Sequence, residues 1–229
     1  MTADGKTVLV TGASRGLGRS VAIALLKEGA NVVGTGRDAT AMRDTEEIAE
    51  QVGGKFTIIT IDVRDEEAVV SLIADLPKLD VLINNAGIAR ARPTLETTTA
   101  ELREVIDVNV IGAFVVMREA ARKMRGGGGG RIINIASDAA IKGLAGMAPY
   151  VASKHALLGM GRSVGLELGD QNIGVTTFCP GPIDTEIMGP GSLSGGMDPD
   201  LLAATVVHLA STPPSIDIQE LLLEPIPAG

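Results

Sequence analysis

The sequence is poor in the residue types from which many protein sites are built. Its 229 residues include two histidines, one cysteine, one tyrosine, three phenylalanines and no tryptophan. The one cysteine, Cys179, excludes an intrachain disulfide, and with only His155 and His208 beside it the composition argues against a zinc site. We therefore expect no metal centre, and we interpret His155, Ser153 and Cys179 as structural residues.

Features of membrane and nucleic-acid-binding proteins are also missing. No apolar run approaches the roughly 18 residues that a membrane span needs, and the opening residues, MTADGKTVLV, lack the charged and apolar regions of a secretory signal. The net charge is −8, and no basic stripe carries interleaved aromatic residues. We expect a cytoplasmic protein that binds neither a membrane nor a nucleic acid.

Apolar runs that are typical of strands alternate with helical patterns along the chain. The predicted strands are Thr7–Thr11, Asn31–Thr35, Phe56–Ile61, Asp80–Asn84, Arg131–Ala136, Gly174–Cys179 and Glu220–Glu224. The predicted helices cover residues 16–28, 40–52, 65–76, 99–125, 149–169 and 199–211. Because the strands are apolar without alternation, both of their faces should be buried under helices. We predict the α/β class, with a doubly wound parallel sheet in one domain of residues 1–229.

Two glycine-rich stretches interrupt this pattern. A strand follows Gly126–Gly130 at once, so we interpret that run as a flexible surface loop rather than a linker. The stretch Gly189–Pro199 is rich in Gly, Pro and Ser and is a candidate lid near a site.

The first strand leads directly into TGASRGLG, residues 11–18, with glycines at Gly12, Gly16 and Gly18. Glycine at a strand-to-helix turn lets the backbone approach a pyrophosphate, whose charge meets the free N–H groups of the helix start. The alternative is a helix cap in a glycine-rich chain. The place of the triplet, after the first strand of a βαβ unit, favours nucleotide binding.

Further polar or backbone-exposing residues follow later strands. They are Asp62–Val63, Asn84–Gly87, Ser137 and Pro180–Thr185. Each has an ordinary structural explanation, such as a helix cap, a turn or a strand terminator. Because parallel strands end at one edge of a sheet, where ligands bind, the residues together indicate one site.

The only tyrosine, Tyr150, stands four residues before Lys154, one helical turn away, and Pro149 suits the first turn of that helix. Tyr150 either fills the core or transfers protons. A free phenol has a pKa near ~10, and lowering it by about three units takes roughly 4 kcal/mol. An ammonium about 5 Å away, at an effective dielectric near 20, supplies roughly 3 kcal/mol. We therefore expect Lys154 to lower the pKa of Tyr150.

In this order the motifs TGASRGLG, NNAG at 84–87, Asn109, Ser137, Tyr150-x-x-x-Lys154 and PG at 180–181 resemble the short-chain dehydrogenase/reductase family over nearly the whole chain. The resemblance implies a seven-stranded Rossmann fold, a nicotinamide cofactor, and a dimer or tetramer built through helices 99–125 and 149–169. It implies a catalytic tetrad of Asn109, Ser137, Tyr150 and Lys154. The residues expected to bind the cofactor are Gly12, Ser14, Arg15, Gly16, Leu17, Gly18, Arg37, Asp62, Val63, Asn85, Ala86, Gly87, Tyr150, Lys154, Pro180, Gly181, Ile183 and Thr185.

Two members of the implied tetrad keep structural alternatives. Ser137 would orient the substrate oxygen through its hydroxyl, or it simply finishes a strand. Asn109 would hold a water that relays protons to Lys154, or its amide ties two helices together, and the two roles are compatible.

The end of the second strand indicates which nicotinamide cofactor is used. An NAD site of this fold usually has an acidic residue there, and the sequence has Gly36 followed by Arg37, with Arg15 in the glycine loop. Two guanidiniums suit the 2′-phosphate of NADP(H). The alternative is that both arginines are solvated, with Asp38 neutralising Arg37. We predict NADP(H).

The substrate is less defined. The chain ends in IDIQELLLEPIPAG, which departs from the ending of many relatives. This ending is more similar to that of members that oxidise 3-hydroxy acids or serine-like substrates, and it weakens the likeness to 3-oxoacyl carrier-protein reductases. We predict interconversion of a small or medium secondary alcohol and its carbonyl compound, of the ketone, aldehyde or 3-hydroxy acid type, with residues 88–98, 138–148 and 184–199 lining its pocket. The alternatives are a 3-oxoacyl thioester reductase and a non-catalytic NADP(H) sensor, against which an intact tetrad argues.

Overall fold

The computed structural model describes residues 2–185, 187, 196–213 and 215–226. Seven strands form one sheet in the order β3-β2-β1-β4-β5-β6-β7, and every neighbouring pair is parallel. The strands are β1 (Thr7–Thr11), β2 (Asn31–Gly36), β3 (Lys55–Thr60), β4 (Val81–Asn84), β5 (Gly130–Ile135), β6 (Ile173–Pro180) and β7 (Glu220–Leu223). The predicted α/β class and doubly wound sheet are confirmed.

Helices cover both faces of the sheet. They are α1 (Gly16–Lys27), α2 (Ala39–Val52), α3 (Glu66–Asp75), α4 (Thr99–Ile106), α5 (Ala113–Gly126), α6 (Ala148–Leu168) and α7 (Pro199–Ser211). Helices α1, α2 and α7 contribute to one apolar core, and α3, α5 and α6 to the other. In β1, Val8 and Val10 belong to the first core and Leu9 to the second, so the strand is buried on both faces.

The expectation of full burial fails at the two edges of the sheet. Strands β1, β4, β5 and β6 are almost wholly buried, whereas β3 exposes three of its six residues and β7 two of its four. An edge strand has a sheet neighbour on one side only, and its outer face is incompletely covered by helices. Apolar composition in a short run therefore does not distinguish a central strand from an edge strand.

The predicted helix 99–125 is not one continuous α-helix. Residues Asp107–Gly112 form a π-helical segment between α4 and α5. Within it, Gly112 lies so close to β3's following loop that a Cβ there would stand 2.9 Å from Val63 Cγ2. The same segment carries Asn109, and π-helical turns inside helices are frequent at functional sites.

The two glycine-rich stretches differ in what the structure describes. Gly126 ends α5 and Gly130 begins β5, so the run is a short turn, and Gly128 and Gly129 adopt φ of 91° and 119°, which suits glycine. Most of the candidate lid, residues 189–195, lies outside the described residues. Its end is described: Asp198 caps α7, which begins at Pro199.

Candidate active site

A cleft of about 1090 Å³ opens at the carboxyl ends of the strands, where the sheet order reverses between β1 and β4. Its volume reaches the upper end of the range of small-molecule sites, about 300–1,000 Å³, and leaves space for a dinucleotide with a substrate. All the residues predicted to bind the cofactor line this cleft, and so does Ser137. Of the predicted tetrad, Asn109 alone does not line it.

The glycine loop forms one wall of the cleft. Gly12 and Gly16 have φ of +68° and +54°, in the region that glycine tolerates best. A Cβ on Gly12 would lie 2.9 Å from Asn85 Nδ2, and one on Gly18 would collide with the Gly12 carbonyl. Helix α1 begins here with no side-chain cap and no acidic residue in its first turn, so its first N–H groups are free for an anion. These features fit the pyrophosphate of a dinucleotide.

The NNAG motif is held by hydrogen bonds to β1. The backbone N–H groups of Asn85 and Ala86 both donate to Thr11 Oγ1 at 3.0 Å, and Asn85 Nδ2 donates to the Thr11 carbonyl at 2.9 Å. Asn84 is buried and donates to Asn134 Oδ1 and to the Ala113 carbonyl. The side chains of the two asparagines therefore hold neighbouring strand ends together by hydrogen bonds. The backbone of Ala86 and Gly87 lines the cleft.

At the other end of the cleft, Tyr150, Lys154 and Ser137 come together. Tyr150 lies in the first turn of α6, one residue after Pro149, as predicted. Lys154 donates to the Ile135 carbonyl at 2.8 Å, and its Nζ lies 5.5 Å from the centre of the Tyr150 ring. All three side chains are less than one-tenth exposed. The site therefore works at low dielectric, where a charge changes a neighbouring pKa strongly.

The expectation of a lowered Tyr150 pKa is wrong for this geometry. Burial raises the pKa of Tyr150 to about 12, the nearby Asp138 carboxylate adds to the rise, and the Ser137 hydroxyl counteracts it by hydrogen bonding. Burial also lowers the pKa of Lys154 to about 8. Desolvation dominates because both groups are shielded from water, and the phenol is held in its protonated form.

Asn109 is a structural link as well as a candidate relay residue. Its Oδ1 accepts from Ile88 N at 2.8 Å, and its Nδ2 donates to the Ile88 carbonyl at 2.9 Å and to Ser153 Oγ at 3.0 Å. Ser153 in turn donates to the Tyr150 carbonyl at 2.7 Å. The π-helical segment is thus tied to α6 and to the loop after β4. Ser153, interpreted from the sequence as structural, holds Asn109 in place.

Three guanidiniums line the cofactor end of the cleft. Arg15 lies 3.9 Å from Asp38, and Arg37 lies 3.7 Å from Asp62. Arg64 holds both carboxylate oxygens of Asp62 at 2.6–3.1 Å, and this pair lowers the pKa of that carboxyl. Asp62 does not cap the following helix.

One charged cleft residue, Arg64, escaped the sequence analysis. Arg64 directly follows the predicted site residue Val63, so proximity to a strand end was the available signal. In the predicted substrate segments, residues 88, 89, 91, 138, 144, 147, 185 and 187 line the cleft, and residues 186 and 188–195 lie outside the described part of the chain.

Comparison with known proteins identifies the family. The sequence profile described as short chain dehydrogenase matches residues 6–192. A 3beta-hydroxysteroid dehydrogenase of Mediterraneibacter gnavus is 39% identical over 189 residues, which cover 80% of this chain and 68% of that protein. A 3-oxoacyl-acyl-carrier-protein reductase of Rickettsia conorii is 37% identical over 183 residues, which cover 80% of this chain and 75% of that protein.

The chain belongs to the short-chain dehydrogenase family. Like its relatives, this short-chain dehydrogenase is an oxidoreductase that uses a nicotinamide cofactor. A solved structure of actinorhodin polyketide ketoreductase with NADPH matches it with a TM-score of 0.89 at 29% identity over 97% of each chain. A short chain dehydrogenase of Mycobacterium paratuberculosis bound to NAD matches with a TM-score of 0.89 at 27% identity over 97% of each chain. Both cofactors therefore occur among similar structures.

The described residues form no metal-binding cluster, since no group of three or more His, Cys, Asp or Glu side chains among them could hold a metal ion. In the same part of the chain, no helix is both long enough and apolar enough to cross a bilayer.

Proposed function

We propose that this short-chain dehydrogenase is an NADP(H)-dependent enzyme that interconverts a secondary alcohol and its carbonyl compound. The observation that carries the proposal is the placement of Ser137, Tyr150 and Lys154 at one end of the cleft whose other end is the glycine loop. When bound, the nicotinamide supplies or accepts the hydride. Tyr150 transfers the proton to or from the substrate oxygen, Ser137 orients that oxygen, and Lys154 binds the ribose.

The state of Tyr150 favours the direction of carbonyl reduction. Reduction leaves an alkoxide that needs a proton, and a phenol with its pKa raised to about 12 carries that proton at neutral pH. In the oxidative direction Tyr150 must first lose its proton. The positive charge of Lys154, and that of an oxidised nicotinamide ring, would favour this loss.

The shape and charge of the β2 end support NADP(H). A Cβ on Gly36 would lie 2.9 Å from Met42 Sδ and 3.2 Å from Ser14 Cβ, so an acidic side chain has no space there without rearrangement. Arg15 and Arg37 are half-exposed and only loosely paired, whereas Arg64 grips Asp62 closely. Exposed ion pairs of this kind contribute little. Arg15 and Arg37 can therefore leave these ion pairs and bind a 2′-phosphate at a small cost in free energy.

The substrate end of the cleft supports a neutral carbonyl compound. Its described lining is mostly aliphatic, and its carboxylate is that of Asp138. A carboxylate substrate would meet repulsion there, and an apolar ketone or aldehyde would not. We therefore favour a neutral substrate over a 3-hydroxy acid. The similarity to the Rickettsia conorii reductase keeps the thioester reductase as the second candidate.

A turnover assay with the wild-type protein tests the proposal. The panel comprises ethyl 3-oxobutanoate, cyclohexanone, 3-oxobutanoate and a 3-oxobutanoyl thioester, each with NADPH and with NADH. We expect the highest kcat/KM for a neutral ketone with NADPH. Equal or better use of NADH would contradict the cofactor assignment, and reduction of the thioester alone would favour the second candidate. Tight NADPH binding with no turnover of any carbonyl compound would indicate the non-catalytic sensor.

Assembly and location remain proposals. Helix α4, the π-helical segment and α5 carry exposed apolar side chains, Leu102, Ile111 and Phe114, on the helical region through which the family resemblance implies subunit contact. We infer a homo-oligomer, dimer or tetramer, acting on small molecules in the cytoplasm, with one domain spanning residues 1–229.

A further inference from the structure

A buried carboxylate directly follows Ser137. Asp138 is 5% exposed and begins the short turn Asp138–Ala140 after β5. Its Oδ1 accepts the hydroxyl proton of Ser137 at 2.7 Å and the backbone N–H of Ala139 at 2.8 Å. It also lines the cleft. The carboxylate is therefore in direct contact with the serine proposed to orient the substrate.

The contact with Asp138 decides what Ser137 presents to the cleft. A hydroxyl has one proton and two acceptor positions. The proton of Ser137 goes to Asp138, and one acceptor position takes the Ala139 N–H at 3.1 Å. The remaining lone pair faces the cleft, so Asp138 fixes the direction of the Ser137 hydroxyl.

The carboxylate is held from its far side by two further charges. Lys142 Nζ lies 2.8 Å from Asp138 Oδ2 and 3.0 Å from Glu224 Oε1, just beyond β7. Hydrogen bonds from Lys142 to Asp138 and Glu224 raise the pKa of Lys142, which keeps the lysine charged. The three groups carry a net charge of −1, and Asp138 is the member that lines the cleft.

We propose that Asp138 is a positioning residue of this enzyme: its hydrogen bond orients the Ser137 hydroxyl, and it places a fixed negative charge beside Ser137 and Tyr150 that adds to the effect of burial in disfavouring the ionised phenol. The inference rests on the proposed role of Tyr150 as the acid and base. It adds a residue that touches neither hydride nor substrate oxygen and acts through Ser137 and Tyr150.

The other charged or titratable groups around Tyr150 act through separate contacts. On α6, Lys154 lies 5.5 Å from the ring centre, and on β6 the buried Cys179 faces Lys154. Burial raises the pKa of the Cys179 thiol, which keeps it neutral. Asp138 is therefore the negative group that raises the pKa of Tyr150, and its neutral isostere should lower that pKa.

The composition of the chain gives a direct test. Tyr150 is the only tyrosine and there is no tryptophan, so the near-ultraviolet absorbance change of phenol ionisation reports Tyr150 alone. A pH titration of the full-length wild type is compared with Asp138→Asn and with the control Asp170→Asn. Asp170 is an exposed acid in the turn after α6, at the opposite end of that helix from Tyr150.

We expect Asp138→Asn to move the midpoint of Tyr150 ionisation down by about one pH unit, and the control to titrate as wild type. With NADP⁺ and ethyl 3-hydroxybutanoate, kcat/KM for oxidation below that midpoint should rise up to about tenfold. A midpoint in Asp138→Asn equal to that of wild type overturns the inference.

Two further results separate the possible failures. If Asp138→Asn does not fold, as judged by circular dichroism, Lys142→Met decides: loss of the cation should move the midpoint upward, and an unchanged or lowered midpoint overturns the inference. If Tyr150→Phe retains turnover, the proposed function itself is wrong. If Tyr150 is essential and the midpoint still does not move, the role of Asp138 alone is wrong.

Discussion

At the scale of single residues, the active site combines groups that burial affects in opposite ways. Tyr150 is held protonated, with its pKa raised to about 12, while Lys154 has its pKa lowered from 10.5 to about 8. Both shifts have the same cause, because burial disfavours the charged form of each group. A buried ammonium is costly to the fold, so its retention is consistent with a functional role rather than a stabilising one.

Replacement of Lys154 by Met should therefore stabilise the protein below pH 8. The folded pKa of Lys154 is lower than the unfolded value, so between pH 8 and 10.5 the unfolded chain binds more protons and wild-type stability rises with pH. Below pH 8 the full penalty of about 3 kcal/mol applies, less about 1 kcal/mol for the lost hydrogen bond to the Ile135 carbonyl. Below pH 8 the free energy of unfolding of Lys154→Met should therefore exceed that of the wild type by roughly 2 kcal/mol.

Urea unfolding of the protein without cofactor, from pH 7 to pH 10, measures this effect. The advantage of Lys154→Met should shrink as pH rises through 8 towards 10. The pKa of Tyr150 is raised from 10.0, so its opposite effect on stability begins only above pH 10. Lys55→Met, an exposed change on β3, serves as the control. A constant difference between Lys154→Met and wild type across this range would show that Lys154 is not desolvated as described.

At the scale of elements, the end of β2 and the turn after it form the part of the fold proposed to select the cofactor. Gly36 closes the strand against Met42 and Ser14, and Arg37 projects into the cleft. Asp38 caps α2 by accepting from Thr40 N and Ala41 N, and it lies near Arg15 rather than neutralising Arg37 as the sequence analysis had considered. Arg37 instead stands 3.7 Å from Asp62.

Arg37→Ala should weaken NADPH binding by about tenfold to a hundredfold, because hydrogen bonds between charged groups contribute about 1.5–3 kcal/mol each. NADH should be little affected, because it has no 2′-phosphate. The measurement is kcat/KM for both cofactors with one ketone. Arg43→Ala, on the exposed side of α2, provides the control. Equal losses for NADPH and NADH would show that Arg37 acts on something common to both cofactors.

At the scale of the whole molecule, the sequence was sufficient for what depends on local pattern. Apolar runs located all seven strands within two residues at each end, and strand-end polar residues located the cleft, because parallel strands bring their carboxyl ends to one edge. The π-helical segment escaped prediction. Asn109 bonds to Ile88 and Ser153, which are 21 and 44 residues away, and no local pattern reports such contacts.

The sequence-based prediction of the Tyr150 pKa was wrong for a related reason. The sequence analysis placed Lys154 one turn from Tyr150 correctly, but the direction of the tyrosine shift depends on burial by elements distant in the chain. Asp138 contributes through a charge whose partners, Lys142 and Glu224, come from the turn after β5 and from the end of β7. The sign of a pKa shift is thus a property of the assembled fold rather than of residue spacing.

The central claim is that the Tyr150 hydroxyl transfers the proton that completes hydride transfer. Tyr150→Phe keeps the ring and removes the hydroxyl, so the measurement is kcat with NADPH and ethyl 3-oxobutanoate alongside the Kd for NADPH by calorimetry. We predict a fall in kcat by a factor of about 10²–10⁴, with cofactor affinity nearly unchanged. A purified Tyr150→Phe variant that binds NADPH and keeps most of the wild-type kcat would contradict the account.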